Sequence, residues 1–243
     1  MGFPVEAKNV VKDFGSVRAL DGLSFKITKG EIFGLIGLNG AGKTTALRIV
    51  STLLLPTSGT VTVFGRDVVE EASEVRNLLS YLPEEAGAYK NLSGLEYLRF
   101  MANFRTKNKA ELQELVEAAA EISGLESRLK DKVKGYSKGM KRRLLVARAL
   151  MTKPKLAILD EPNSGLDVLH SVHVRTLIKR YAKEYDVTVL LSSHNMLEVE
   201  YLCDRVALVD KGKIVVEGSP DQLKSKYDAV NLEEVFGEVV GFA

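Results

Sequence analysis

Residues Gly37, Leu38, Asn39, Gly40, Ala41, Gly42, Lys43, Thr44 and Thr45 follow one another without interruption. Glycine, four residues, then Gly-Lys and a hydroxyl side chain is a pattern suited to a polyphosphate. Glycines let consecutive backbone N–H groups turn inward onto phosphate oxygens. A helix opening at Thr45 adds partial positive charge behind them. Lys43 is placed to reach the β- and γ-phosphates, and the Thr44 hydroxyl to ligate Mg²⁺. A chance glycine turn is the plainer reading. The apolar run Ile32–Ile36 before the loop and Ala46, Leu47, Ile49 and Val50 after it argue against that, because they give strand, loop and helix in order.

Asp160 and Glu161 close the apolar run Leu156–Leu159. Acids at the carboxyl end of a buried strand are where a wound α/β sheet presents ligands. Asp160 suits Mg²⁺, and Glu161 suits a general base that polarises water. His194 ends a third apolar strand and is placed to contact a γ-phosphate and the attacking water. The run Lys138-Gly139-Met140-Lys141-Arg142-Arg143 opens a helix after Ser137. It reads as a nucleic-acid contact, as a solvated helix face, or as an anion site at a positive helix end. His170 and His173 sit on a charged helix and read as surface residues.

The elements that must position these groups follow from pattern. Val5–Val11 and Leu20–Ile27 read as antiparallel strands around a Phe14-Gly15-Ser16 break, with Thr60–Phe64 and Leu78–Leu82 as later strands. Ser93 and Glu96 form a capping box for a helix through about Phe104. Leu112, Leu115, Val116, Ala119 and Ile122 keep a helical period that stops at Gly124. A third helix carries Met140, Leu144, Leu145 and Ala149. Val168–Glu184 and Met196–Cys203 read as helices, Val187–Leu191 as a strand, and Val206–Val209 with Ile214–Val216 as a hairpin. The division expected is an α/β core over 1–84 and 154–227 that includes an antiparallel β-subdomain, an all-helical insert over 85–153, and a short helical tail over 228–243.

The chain has 243 residues, 45% hydrophobic and 27% charged, with a net charge of +2, which fits a globular protein rather than a strongly basic nucleic-acid binder. Cys203 is its single cysteine, so no intrachain disulfide forms, and its apolar surroundings suit a small buried hydrophobe. Residues 1–14 lack the apolar core of a secretory signal, and no apolar run is long enough to span a bilayer. The expectation is a cytosolic chain.

Read in order, five spaced motifs resemble the ATP-binding subunit of an ABC transporter. They are the glycine loop, Tyr136-Ser137-Lys138-Gly139-Met140-Lys141, Leu159-Asp160-Glu161-Pro162, Ser164-Gly165-Leu166-Asp167 and Ser193-His194. The Tyr136–Met140 form, Tyr81-Leu82-Pro83-Glu84-Glu85 and Leu232–Phe236 look most like the drug, antibiotic and sodium exporter branch. The resemblance implies a P-loop NTPase core with a mixed sheet flanked by helices, an N-terminal antiparallel β-subdomain and an inserted helical subdomain. It implies an Mg²⁺-dependent ATPase on the cytoplasmic face of a membrane, joined to a separate membrane-spanning permease. Two such subunits, identical or different, would pair head to tail around two ATP molecules. Phe14 would stack on adenine beside Val17. Ser137, Lys138 and Gly139 would reach the partner's γ-phosphate, and Asp167 would cross the interface. The cleft near residues 84–97 would receive the permease, with Tyr89 and Tyr97 either docking or packing.

Departures from the family pattern are specific. Glu84 stands where the family usually has Gln near Mg²⁺, Lys138 adds charge in the Ser-Gly-Gly segment, and Met140 replaces a polar residue. Leu38, Asn163 and Phe14 replace a common Pro, Thr and Tyr. Lys43, Asp160, Glu161 and His194 are intact. A soluble ABC-type ATPase acting on ribosomes or nucleic acid is the alternative, against which a single cassette with a short insert argues.

Overall fold

The computed structural model describes residues 2–241. Met1, Phe242 and Ala243, the last two belonging to the expected tail, lie outside the described residues. The chain begins with β1 (Val5–Phe14) and β2 (Val17–Ile27), followed by β3 (Ile32–Ile36), α1 (Lys43–Val50), β4 (Ser58–Val63) and β5 (Arg66–Asp67). Next come α2 (Ala72–Leu78), β6 (Leu79–Leu82), α3 (Gly94–Ala102), α4 (Lys109–Ser123) and α5 (Lys138–Leu150). The remainder is β7 (Leu156–Asp160), α6 (Val168–Tyr185), β8 (Thr188–Ser193), α7 (Met196–Leu202), β9 (Arg205–Asp210), β10 (Lys213–Gly218), α8 (Pro220–Lys226) and α9 (Leu232–Val240).

Two sheets result. One is antiparallel in the order β2-β1-β4-β5. The other runs β10-β9-β3-β8-β7-β6 and is parallel except for the β9–β10 hairpin. Residues alternate across a strand, and this alternation divides the core. Phe33, Leu35, Leu156, Ile158 and Leu190 face α1 and the antiparallel sheet. Ile32, Ile36, Ala157, Leu159, Val189 and Leu191 face the helices. Between β6 and β7 the described residues hold helices, short 3-10 turns and one isolated bridge, Ser93 to Lys132. Leu98, Val116, Leu144 and Tyr97 of this region share one apolar cluster with the sheet.

Most expected elements form, with informative differences. The first hairpin extends to Phe14 and Val17, because Asp13 and Arg18 pair across it. Its register slips near Asn9, which adopts a left-handed φ of 48°. The helix α2 and the two-residue β5 have no counterpart in the sequence reading. Val75 is the one buried residue of α2, so no apolar stripe marks it. The capping box at Ser93 and the left-handed stop at Gly124 are present. Cys203 is buried against Gly34, where a Cβ would lie 2.9 Å from its sulfur.

Leu47 is fully buried between α1 and both sheets, whereas Leu55 is exposed. Leu47→Ala is expected to cost about 2–5 kcal/mol in urea unfolding, and Leu55→Ala no more than about 0.5 kcal/mol.

Candidate nucleotide site

Three parallel strands end at one edge. In register, Ile36 of β3 lies beside Ser193 of β8, and Asp160 of β7 beside Ser192. The glycine loop, the Asp160-Glu161 pair and His194 therefore converge, although 157 positions separate Gly37 from His194. Gly42 caps α1 with φ 107°, and a Cβ there would lie 2.5 Å from the Ala19 carbonyl. Only glycine fits such a left-handed, crowded position. The Gly212 N–H donates to the Ala41 carbonyl at 2.9 Å, which ties the loop to the β9–β10 turn. The loop, with Ala19, Glu84 and Glu161, encloses a cavity of about 310 Å³.

Lys43 is buried at the cavity floor. Its ammonium donates to the carbonyls of Gly37 at 2.7 Å and Leu38 at 3.2 Å, and lies 3.7 Å from Glu161 Oε1. Burial pulls its pKa below the usual lysine range, opposed by Glu161, Asp160 and Glu84. Thr44 Oγ1 donates to Asp160 Oδ1 at 3.1 Å. Ser192 Oγ donates to the same oxygen at 2.5 Å, and Tyr81 OH donates to Oδ2 at 3.3 Å. Burial, then the Asp160 charge, push the Tyr81 phenol up to about 12. A threonine hydroxyl beside a carboxylate at the cavity edge is a hard oxygen set, which suits Mg²⁺.

Glu161 turns away from the strand with a left-handed φ of 48°. Its N–H donates to Ser192 Oγ at 3.0 Å. Its Oε2 lies 2.8 Å from His194 Nδ1, so an Nδ1-protonated imidazole donates to it. Glu161 is thus held between Lys43 and His194, facing the cavity. Glu84 also lines the cavity and accepts from Ser164 Oγ at 3.2 Å.

The other candidate residues lie elsewhere. Phe14 and Val17 are exposed outside the cavity lining, with the Lys12 ammonium 5.0 Å from the Phe14 ring centre. Ser137 caps α5 by accepting from the Met140 N–H at 3.1 Å, and Asp167 caps α6 by accepting from the His170 N–H at 2.9 Å. Neither Ser137, Lys138, Gly139 nor Asp167 borders this chain's cavity.

Arg142 is the residue that sequence reasoning missed. It sits in the basic run, yet it is buried. Its five guanidinium bonds go to the carbonyls of Pro162, Pro83, Glu84, Asp160 and Glu161, between 2.6 and 3.4 Å. Burial lowers its pKa to about 10, against the pull of Asp160, Glu84 and Glu161. The signal was present: Arg142 shares a helix face with Leu145, Val146 and Ala149 at offsets of three, four and seven. The surface reading of His170 is also corrected, because its ring is half-buried against Gly139. Tyr97 is fully buried, which makes it a packing residue, while Tyr89 is exposed.

Residues 20–164 match the family model described as ABC transporter. The chain belongs to the ABC transporter ATP-binding family. The linearmycin resistance ATP-binding protein of Bacillus subtilis (strain 168) is 36% identical over 222 residues, which cover 91% of this chain and 71% of that protein. The bacitracin transport ATP-binding protein of Bacillus licheniformis is also 36% identical over 222 residues, 91% of this chain and 72% of its own. A solved ATP-binding subunit of an ABC transporter shares the fold with a TM-score of 0.84 and 27% identity, covering 97% of this chain and 99% of that one. As a member of the ABC transporter family this chain binds ATP and is an ATPase.

Arg142→Ala leaves five carbonyls without their donor. Its expected cost is at least about 3 kcal/mol in chemical denaturation, with loss of ATPase activity. Arg142→Lys restores neither, since a point charge cannot replace the planar fork.

Proposed function

We propose that this chain powers export of a drug- or antibiotic-like solute through a separate membrane-spanning permease, working as an ATP-dependent head-to-tail pair of ATP-binding subunits. The observation that carries the catalytic part is Glu161 held between Lys43 and His194 in the cavity formed by the glycine loop. The relatives' names, linearmycin resistance and bacitracin transport, support the solute class. No helix of the described residues is long and apolar enough to cross a membrane.

In this reading Gly37–Thr45 wraps the ATP phosphates and Lys43 exchanges its carbonyl partners for β- and γ-phosphate oxygens. Adenine stacks on Phe14 beside Val17. Thr44, Asp160 and Glu84 would hold Mg²⁺, which would supply positive charge against that of the phosphates. Glu161 accepts a proton from the attacking water while His194 steadies its carboxylate. The γ-phosphate is also gripped by Ser137, Lys138 and Gly139 of the second subunit, and Asp167 crosses between the two. Loss of that phosphate removes one attraction and releases the pair. The helical segment 85–153 acts as the lever toward the permease. Its docking surface is the cleft near residues 84–97, where Tyr89 is exposed and its ring meets that of Phe100.

Binding of a fluorescent ATP analogue and phosphate release test the catalytic roles separately. Lys43→Ala should abolish both. Glu161→Gln should retain binding while turnover falls by about 10²–10⁴-fold. A Glu161→Gln variant that hydrolyses at the parent rate would remove Glu161 as base. Glu84→Gln should shift the Mg²⁺ concentration needed for half-maximal turnover. An unchanged Mg²⁺ dependence would exclude Glu84 as a ligand.

A further inference from the structure

The start of α5 is gripped by the start of α6 in the same chain. Gly139 is buried beneath His170: a Cβ at position 139 would lie 2.5 Å from His170 Cγ and 2.7 Å from Nε2, and would overlap Cδ2. The imidazole thus occupies the space of the missing side chain. The contact is reciprocal. Gly165 adopts φ +64°, and a Cβ there would collide with the Lys138 ammonium and lie 2.7 Å from Cε. Two glycines on opposite segments each accept a long side chain from the other.

The segment making this grip is fixed at both ends. Asp167 Oδ1 accepts from the His170 N–H at 2.9 Å, which sets the first turn of α6. Ser164 Oγ donates to Glu84 at 3.2 Å, and the segment begins at Glu161. The N–H groups at a helix start are aimed by the helix itself. Their direction at Ser137–Gly139 therefore depends on what packs against Gly139, and here that is His170.

We propose that His170 is a positioning residue, which sets the direction of the Ser137–Gly139 helix start and so its grip on the ATP of a second subunit. This rests on the head-to-tail pairing proposed above. His170 does not border its own chain's cavity. It acts through Gly139, and the Lys138 side chain lies against Gly165 on the other side of the same contact. A helix start displaced by about 1 Å can lose on the order of 10²-fold in a positioned interaction, so a small ring has leverage on pairing.

Pairing is measured by sedimentation velocity with Mg-ATP in the Glu161→Gln background, and single-subunit affinity with a fluorescent ATP analogue below the pairing concentration. Adding His170→Ala should weaken pairing by at least about 10-fold, leave single-subunit affinity unchanged and leave the chain folded at the assay temperature by thermal unfolding. His170→Phe, which keeps a planar ring over Gly139, should recover most of the pairing. Equal pairing by His170→Ala and its parent overturns the proposal. So does a matching loss of single-subunit affinity, which would mark a general structural defect, or a failure of His170→Phe to recover any pairing. A parent that does not pair at all removes head-to-tail pairing between copies of this chain and this proposal with it, an outcome distinct from equal pairing.

Discussion

Two adjacent carboxyl groups, on Asp160 and Glu161, are buried at the end of one strand, and the architecture around the site follows from satisfying both. A buried carboxylate without partners is costly. Asp160 is surrounded by three hydroxyls, from Thr44, Ser192 and Tyr81, each delivered by a different element. Glu161 has Lys43 on one side and His194 on the other. Ser192 serves both, donating to the Asp160 carboxylate and accepting from the Glu161 N–H. The parallel register of β3, β8 and β7 is what brings these partners to one edge.

The backbone behind the two acids is held by a single side chain. Arg142 gathers the carbonyls of Asp160, Glu161 and Pro162 together with those of Pro83 and Glu84. It thereby joins the helical region to the end of β7 and to the segment that bears Glu84. The guanidinium of Arg142 lies in the first turns of the same α5 whose start carries Ser137 and Gly139. One helix thus supports the acids of its own subunit from behind and presents its N-terminus outward. In the proposed mechanism, a shift of α5 would reach Glu161 through these shared carbonyls.

The glycine loop, the acid pair and His194 were legible in the sequence because each ends a short apolar strand, and strand ends of a parallel sheet meet. The helices with apolar stripes, α4 above all, were legible for the same kind of reason. What was hidden lacked such a pattern. The helix α2 buries only Val75, and β5 has two residues, so neither leaves a period to detect. Arg142 was masked by its charge, since a cation within a basic run reads as solvated until its carbonyl partners, distant in sequence, are in place. The contact of His170 with Gly139 was hidden too, because it joins two helices that sequence spacing leaves unrelated. Glu84 was recognisable as a departure, but its partner Ser164 emerges only when the loop after Glu161 folds back.

In the proposed mechanism ATP joins two copies of this site, and Glu161 is the base whose reaction separates them. Molar mass by light scattering tests it most directly, comparing the parent chain with Glu161→Gln in Mg-ATP, in Mg-ADP and without nucleotide. On that mechanism Glu161→Gln doubles in mass only with Mg-ATP, while the parent hydrolyses and returns to a single subunit. A Glu161→Gln chain that binds Mg-ATP and keeps the mass of one subunit would contradict it.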